Sequence, residues 1–254
     1  MLTNVRYIML TALRDWLFAA LILGVIVCAL IAHMLGSTAL IETQEMTLSY
    51  TAASVRIVMM TGLIVFTCFH VRSAFDTKEI DVFLSRPITR SNLVFSYWLG
   101  FAVVAFLLLI PTIGLIAMQG LLSKPGFLFW AMSLLIECLL VVAVSLFAAF
   151  TLRSAVTAVM ASMGFYVLAR MMGFFMITMQ SGFLFETQWL NLLLIYGLKA
   201  ASLIVPRLDF FAKSDWLIYG MHASEELMLF LLQALVFIPL LILAAIADFQ
   251  RKQF

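Results

Sequence analysis

Charge is scarce in this chain. Of 254 residues only 15 are Lys or Arg and 13 are Asp or Glu, while 65% are apolar, an excess that no soluble core needs. That balance excludes an ordinary soluble domain and implies a polytopic membrane protein. At about 20 apolar residues per crossing, five to seven spans fit, with little chain left for any extramembrane domain. The net charge of +2 says little, because membrane proteins place basic residues by side rather than by total.

Other features are missing too. No G-x-x-x-x-G-K-[ST] phosphate loop occurs, which excludes ATP hydrolysis by that route. The cysteines Cys28, Cys68 and Cys138 lie singly within apolar runs and form no C-x-x-C pair, so they read as small buried hydrophobes rather than disulfides or metal ligands. His33, His70 and His222 are equally scattered, and no metal site is expected. No small-residue cleavage site follows a short apolar region, so a removable signal peptide is not expected.

What is present falls into a regular order. Over residues 1–15, Leu2, Val5, Met9, Ala12, Leu13 and Trp16 recur at helical spacing, with Asn4, Arg6 and Arg14 elsewhere on the wheel. This predicts a short helix in the headgroup layer. Six apolar runs follow, at about 16–36, 53–71, 93–118, 127–150, 154–179 and 226–247, each long enough to cross ~30 Å of hydrocarbon. Pro111, which lacks an amide proton, is expected to kink the third or break a backbone hydrogen bond in it.

Basic residues give the orientation. With the N-terminus inside, Arg6, Arg14, Arg72, Lys78, Arg86, Arg90, Arg153, Arg251 and Lys252 share the cytoplasmic side. Arg56, Lys124, Lys199, Arg207 and Lys213 lie opposite, a bias that puts both termini in the cytoplasm. The apolar stretch 189–205 is short, carries Asn191 and Lys199, and ends at Pro206. A seventh crossing there would move Arg251 and Lys252 outside, so residues 180–224 are expected to dip into the outer leaflet or lie on it.

Two groups of polar residues stand out. The first is the segment 72–92, where Asp76, Lys78, Glu79 and Asp81 precede the apolar patch Val82, Phe83 and Leu84. Pro87 then breaks the helix, and Thr89 or Ser91 can cap the next. A short amphipathic helix with an aromatic tip suits docking into a groove on a soluble protein, although a solvated loop has the same composition. The second is a pair of charges at membrane depth. Glu137 lies about ten residues, ~15 Å, below the outer end of the fourth span, and Arg170 lies ~14 Å below the outer end of the fifth. Antiparallel neighbours place them level, so an ion pair facing the bundle interior is expected, in structural pairing rather than substrate contact. Arg56 is expected near the outer end of the second span, free to snorkel or to meet Glu42 or Glu45. The 23 Phe and 16 Met suit lipid contact, core packing or a lipid-like substrate alike.

Leu84-Ser85-Arg86-Pro87, then Thr89-Arg90, then Leu99-Gly100 opening a helix, resembles the cytoplasmic coupling segment of the ABC type-2 exporter permeases. The chain departs from that pattern at Lys78-Glu79, where the family commonly has Gly-Thr, and at Tyr97, where it has Lys. Those departures place it in a divergent branch. The resemblance implies an all-α, six-span membrane protein of one permease domain, residues 1–254. It has an N-terminal interfacial helix, a coupling helix between spans 2 and 3, and re-entrant or interfacial helices between spans 5 and 6. It also implies a second permease copy or close paralogue, two copies of a P-loop ATPase that binds ATP and Mg, contact with membrane lipids but not nucleic acid, and a bacterial inner-membrane location. The coupling residues would be Asp76, Glu79, Val82, Phe83, Leu84, Arg86, Pro87 and Arg90, with no catalytic residue and no cofactor in this chain. A lipid-processing membrane enzyme and a membrane scaffold or assembly subunit are the alternatives from other classes. The first would need a reactive constellation, and only Glu137 and Arg170 are deep.

Overall fold

The computed structural model describes residues 2–38, 42–80, 89–118, 126–180, 195–200, 202, 205–220 and 224–251. These are helical apart from turns and one irregular segment, and no strand occurs among them. The helices are α1 (Leu2–Arg14), α2 (Trp16–Ser37), α3 (Thr43–Asp76), α4 (Arg90–Ile116), α5 (Gly126–Thr151), α6 (Ala155–Gln180), α7 (Asp215–Tyr219) and α8 (Ser224–Arg251). Six of them, α2 to α6 and α8, are long and apolar enough to cross a membrane, as expected of a multi-pass membrane protein.

Local signals set the boundaries. Asp15 separates α1 from α2 and caps α2, its carboxylate accepting from the Leu17 amide at 3.1 Å. Thr89 caps α4, its hydroxyl accepting from the Asn92 amide at 3.4 Å. At the end of α3 the chain leaves the helix through Lys78, which has φ 58° and donates its amide to the Phe75 carbonyl. α4 continues as one helix through Pro111 to Ile116.

The second span differs most from its hydropathy. The helix begins at Thr43, not near residue 53, and its 34 residues extend ~51 Å, well beyond ~30 Å of hydrocarbon. Residues 43–52 are polar by composition, but Leu48, Thr51 and Ala52 are buried, and the hydroxyls of Thr47 and Thr51 each donate to the carbonyl four residues earlier at 2.7 Å. Threonine thereby loses its polarity to its own helix. The segment can then pack on α2, whose Gly36 lies directly against Thr47.

α5 forms the centre. About 72% of its most apolar stretch is buried, against 17% for α2, 28% for α6 and 22% for α8, so those three take the periphery. α3, α4, α6 and α8 all pack on α5, and α2 packs outside α3. At one end of the bundle Phe75, Tyr97, Phe150 and Phe249 interlock edge to face, with the Phe150 and Phe249 rings 5.1 Å apart. α1 lies at that end too, with Ile8 and Ala12 buried and Leu10 and Leu13 exposed.

Candidate functional site

At the other end of the bundle, the irregular segment 205–214 descends between the helices. It carries a 3-10 turn, Leu208–Phe210, and leads into α7. Its buried side chains Leu208 and Phe211, with Trp216 and Leu217 of α7, fill the space between α5, α6 and α8. Phe211 and Trp216 both lie against Phe230 of α8, with centroids 5.7 and 6.0 Å away. The backbone goes as deep as the side chains do. Ala212 meets Ser133, seven residues or ~10 Å into α5, and Leu208 meets Arg170, ten residues or ~15 Å from the end of α6.

Non-helical backbone at that depth has carbonyls and amides with no helical partner and no water, which is tolerated only where protein groups satisfy them. Three side chains from three helices do so here. Arg170 of α6 donates one guanidinium nitrogen to the carbonyls of Leu208 and Phe211, the latter at 2.9 Å. Arg56 of α3 donates to the Ala212 carbonyl at 2.6 Å. The Ser133 hydroxyl of α5 accepts from the Ala212 amide at 2.9 Å. Ala212 itself is held at φ 45°, a left-handed conformation that costs a non-glycine residue about 1 kcal/mol or more. The clamp therefore fixes a backbone shape that the chain would not adopt alone.

Glu137, fully buried one turn below Ser133 on α5, supplies the counter-charge. Its Oε1 accepts from the Tyr166 hydroxyl at 3.3 Å and lies 3.7 Å from the Arg170 guanidinium. Tyr166 and Arg170 are one turn apart on α6, so both meet the same carboxylate. Arg56 is within electrostatic reach of Glu137, Arg170 and Tyr166. Among the described residues, Glu137 Oε2 and Arg56 Nε have no hydrogen-bond partner. Arg207 and Asp209 neutralise each other at 2.8 Å, with the Arg207 guanidinium 4.2 Å from the Phe210 ring centroid.

The structure thus brings Glu137 and Arg170 together, but the arginine's closer partners are backbone carbonyls. Arg56 does not turn to Glu42 or Glu45. It points inward, 9% exposed, to the 205–214 segment. Sequence reasoning missed this use. The signal available was an arginine well inside an apolar helix, together with a short segment ending at Pro206 that must find donors for its carbonyls.

Of the expected coupling residues, Asp76, Glu79 and Arg90 are among those described, and they lie at the opposite end. Exposed Asp76 faces the largely covered Arg72 at 3.7 Å, and Glu79 accepts from the Tyr7 hydroxyl of α1 at 3.4 Å. Arg90 donates to the Gln250 carbonyl at 3.1 Å and to the Phe249 carbonyl at 3.4 Å, satisfying orphan acceptors in the last turn of α8. Val82, Phe83, Leu84, Arg86 and Pro87 lie outside the described residues, as do residues 181–194 of the expected outer segment. Among the described residues, no group of three His, Cys, Asp or Glu could hold a metal ion. Cys68 and Cys138 are buried and Cys28 half-buried, none of them in a disulfide.

Neither protein-family models nor curated proteins give a match to this sequence.

Proposed function

We propose that this chain is the transmembrane subunit of an ABC exporter: half of a dimeric permease in a bacterial inner membrane, driven by a separate cytoplasmic P-loop ATPase. The observation that carries the reading is the Arg72–Gly100 pattern between the second and third spans, with its Leu-Ser-Arg-Pro, Thr-Arg and Leu-Gly elements in order. Its placement supports the reading. The described parts of that stretch share one end of the bundle with α1 and the last turn of α8, which the basic residues assign to the cytoplasm. In this scheme ATP closes the motor dimer, the segment around Asp76–Arg90 moves, and the two six-helix halves shift against each other. The 205–214 segment, clamped by Arg56 and Arg170, lies on the outer side as a fixed part of each half. Transport chemistry asks nothing covalent of this chain; ATP and Mg belong to the motor.

Phe83→Ala tests the reading. Removing an aromatic anchor from an interface commonly costs about 2 kcal/mol or more. The variant should purify as a monodisperse membrane protein that has lost its ATPase, or that keeps it without substrate-stimulated turnover. Unchanged ATPase association and unchanged transport in both Phe83→Ala and Leu84→Ala would remove the main support for a permease.

A further inference from the structure

At the end of the bundle away from the clamp, α1, α2 and α3 enclose a cavity of about 370 Å³. Tyr7, Thr11, Asp15, His70, Ser73 and Glu79 supply the polar part of its lining. Leu17, Phe66, Phe69 and Ala74 supply the apolar remainder. The His70 ring is wedged 5.7 Å from Phe66 and 5.6 Å from Phe101, so this part of the lining is rigid. Two carboxylates and a set of apolar side chains thus line one hollow. Asp15 has one oxygen on the Leu17 amide, and Glu79 has one on the Tyr7 hydroxyl. Among the described residues, neither forms a salt bridge with a Lys or Arg.

We infer that this cavity binds an amphiphilic amine, an ammonium group carried on an apolar body. The charge is complementary: two carboxylates in one lining, neither in a salt bridge among the described residues, favour one cation, and an ammonium offers the donors that Asp15, Glu79 and Thr11 can accept. A bare hydrated metal ion would leave the Phe66 and Phe69 surfaces unused, whereas an amine with an aromatic or alkyl body covers them and gains cation–π attraction. A second hollow of about 500 Å³ adjoins the first through Tyr7, Thr11 and Asp15, and it is lined by Arg14. That neighbouring cation suits a phosphate, so the amine has two possible sources: the headgroup of an aminophospholipid or a free cationic amphiphile. The site stands whether or not the chain is a permease.

The test uses the purified full chain in detergent micelles, titrated calorimetrically with phenethylammonium chloride, with phenethyl alcohol as the uncharged control. Saturable binding of the amine but not the alcohol is expected, about tenfold weaker or worse in Asp15→Asn/Glu79→Gln. Both changes keep the local structure: Asn still caps α2, and Gln still accepts from Tyr7. Ser73→Phe, which fills the cavity and leaves both carboxylates in place, should abolish binding independently and decides the matter if the double variant does not fold. No saturable binding by the wild type, or unchanged affinity in the folded double variant, overturns the inference. Native mass spectrometry from nanodiscs of phosphatidylethanolamine or phosphatidylglycerol separates the sources. A retained phosphatidylethanolamine that the amine displaces identifies the lipid; amine binding with no retained lipid identifies a free amphiphile.

Discussion

Replacing Arg170 by methionine removes two different things at once, and the difference can be measured. The guanidinium is the ion-pair partner of Glu137 at 3.7 Å, and breaking a buried pair by deleting one member costs about 3–5 kcal/mol. It is also the donor to the carbonyls of Leu208 and Phe211, and a buried acceptor left without a donor costs about 1–3 kcal/mol. Because the Arg170 side chain is 23% exposed, water can reach part of the site and the lower figure applies to each carbonyl. Adding Glu137→Gln cancels the orphaned charge but not the orphaned carbonyls. The double variant should therefore recover the ion-pair part and remain about 2 kcal/mol below wild type, a ~30-fold shift in the folding equilibrium. Glu137→Gln alone should also destabilise, since it leaves the Arg170 and Arg56 guanidiniums without their counter-charge, although Arg170 keeps its carbonyls and the amide oxygen still accepts from Tyr166. Unfolding in mixed micelles gives the energies, and hydrogen exchange at residues 208–217 reports whether the segment has come loose. Full recovery of wild-type stability in the double variant would refute the carbonyl-clamp argument and leave a simple ion pair. Single variants that fold normally but fail in transport would move the cluster into the substrate path.

Two further outcomes follow from the architecture. In a cysteine-free background, a cysteine at Asp215 should be labelled by a membrane-impermeant maleimide from outside intact cells and one at Ser85 should not. The reverse pattern overturns the orientation. Gly126→Ala should destabilise by about 1–3 kcal/mol, because its Cβ would strike the Trp216 carbonyl, while Gly164→Ala, mid-helix with open space around it, should stabilise by up to about 1 kcal/mol.

Much of the membrane architecture was legible because hydrocarbon imposes one dominant requirement. The first span came out as Trp16–Ser37 against an expected 16–36, and the fourth as Gly126–Thr151 against 127–150, since apolar runs of that length have few other uses. The start of α3 was not legible, because hydropathy counts a threonine hydroxyl as polar even when it is bonded to its own helix. The proximity of Glu137 and Arg170 could be reached by counting residues along antiparallel helices. The carbonyl partners of Arg56 and Arg170 could not, since a backbone acceptor leaves no residue identity to read. One departure from the resembling family gains a physical meaning. The position where that family commonly has glycine is Lys78, which here adopts φ 58°, a conformation glycine takes without a steric cost.

The length of α3 gives the two ends of the molecule a shared mechanical fate. Met59, Met60 and Leu63, all but fully buried near its middle, grip the helix as a fulcrum. On one side of them α3 carries Arg56, which holds the inserted backbone; on the other it carries Arg72, Phe75 and Asp76, where the chain enters the polar segment. A rod ~51 Å long that pivots by about 5° swings its tips ~2 Å each in opposite directions. Arg56 stands only about four to five residues, ~7 Å, from that fulcrum, so the same pivot would move it by ~0.6 Å, against the direction of the far tip. A lever of this kind would carry displacement across the bilayer while keeping every backbone hydrogen bond of the helix intact.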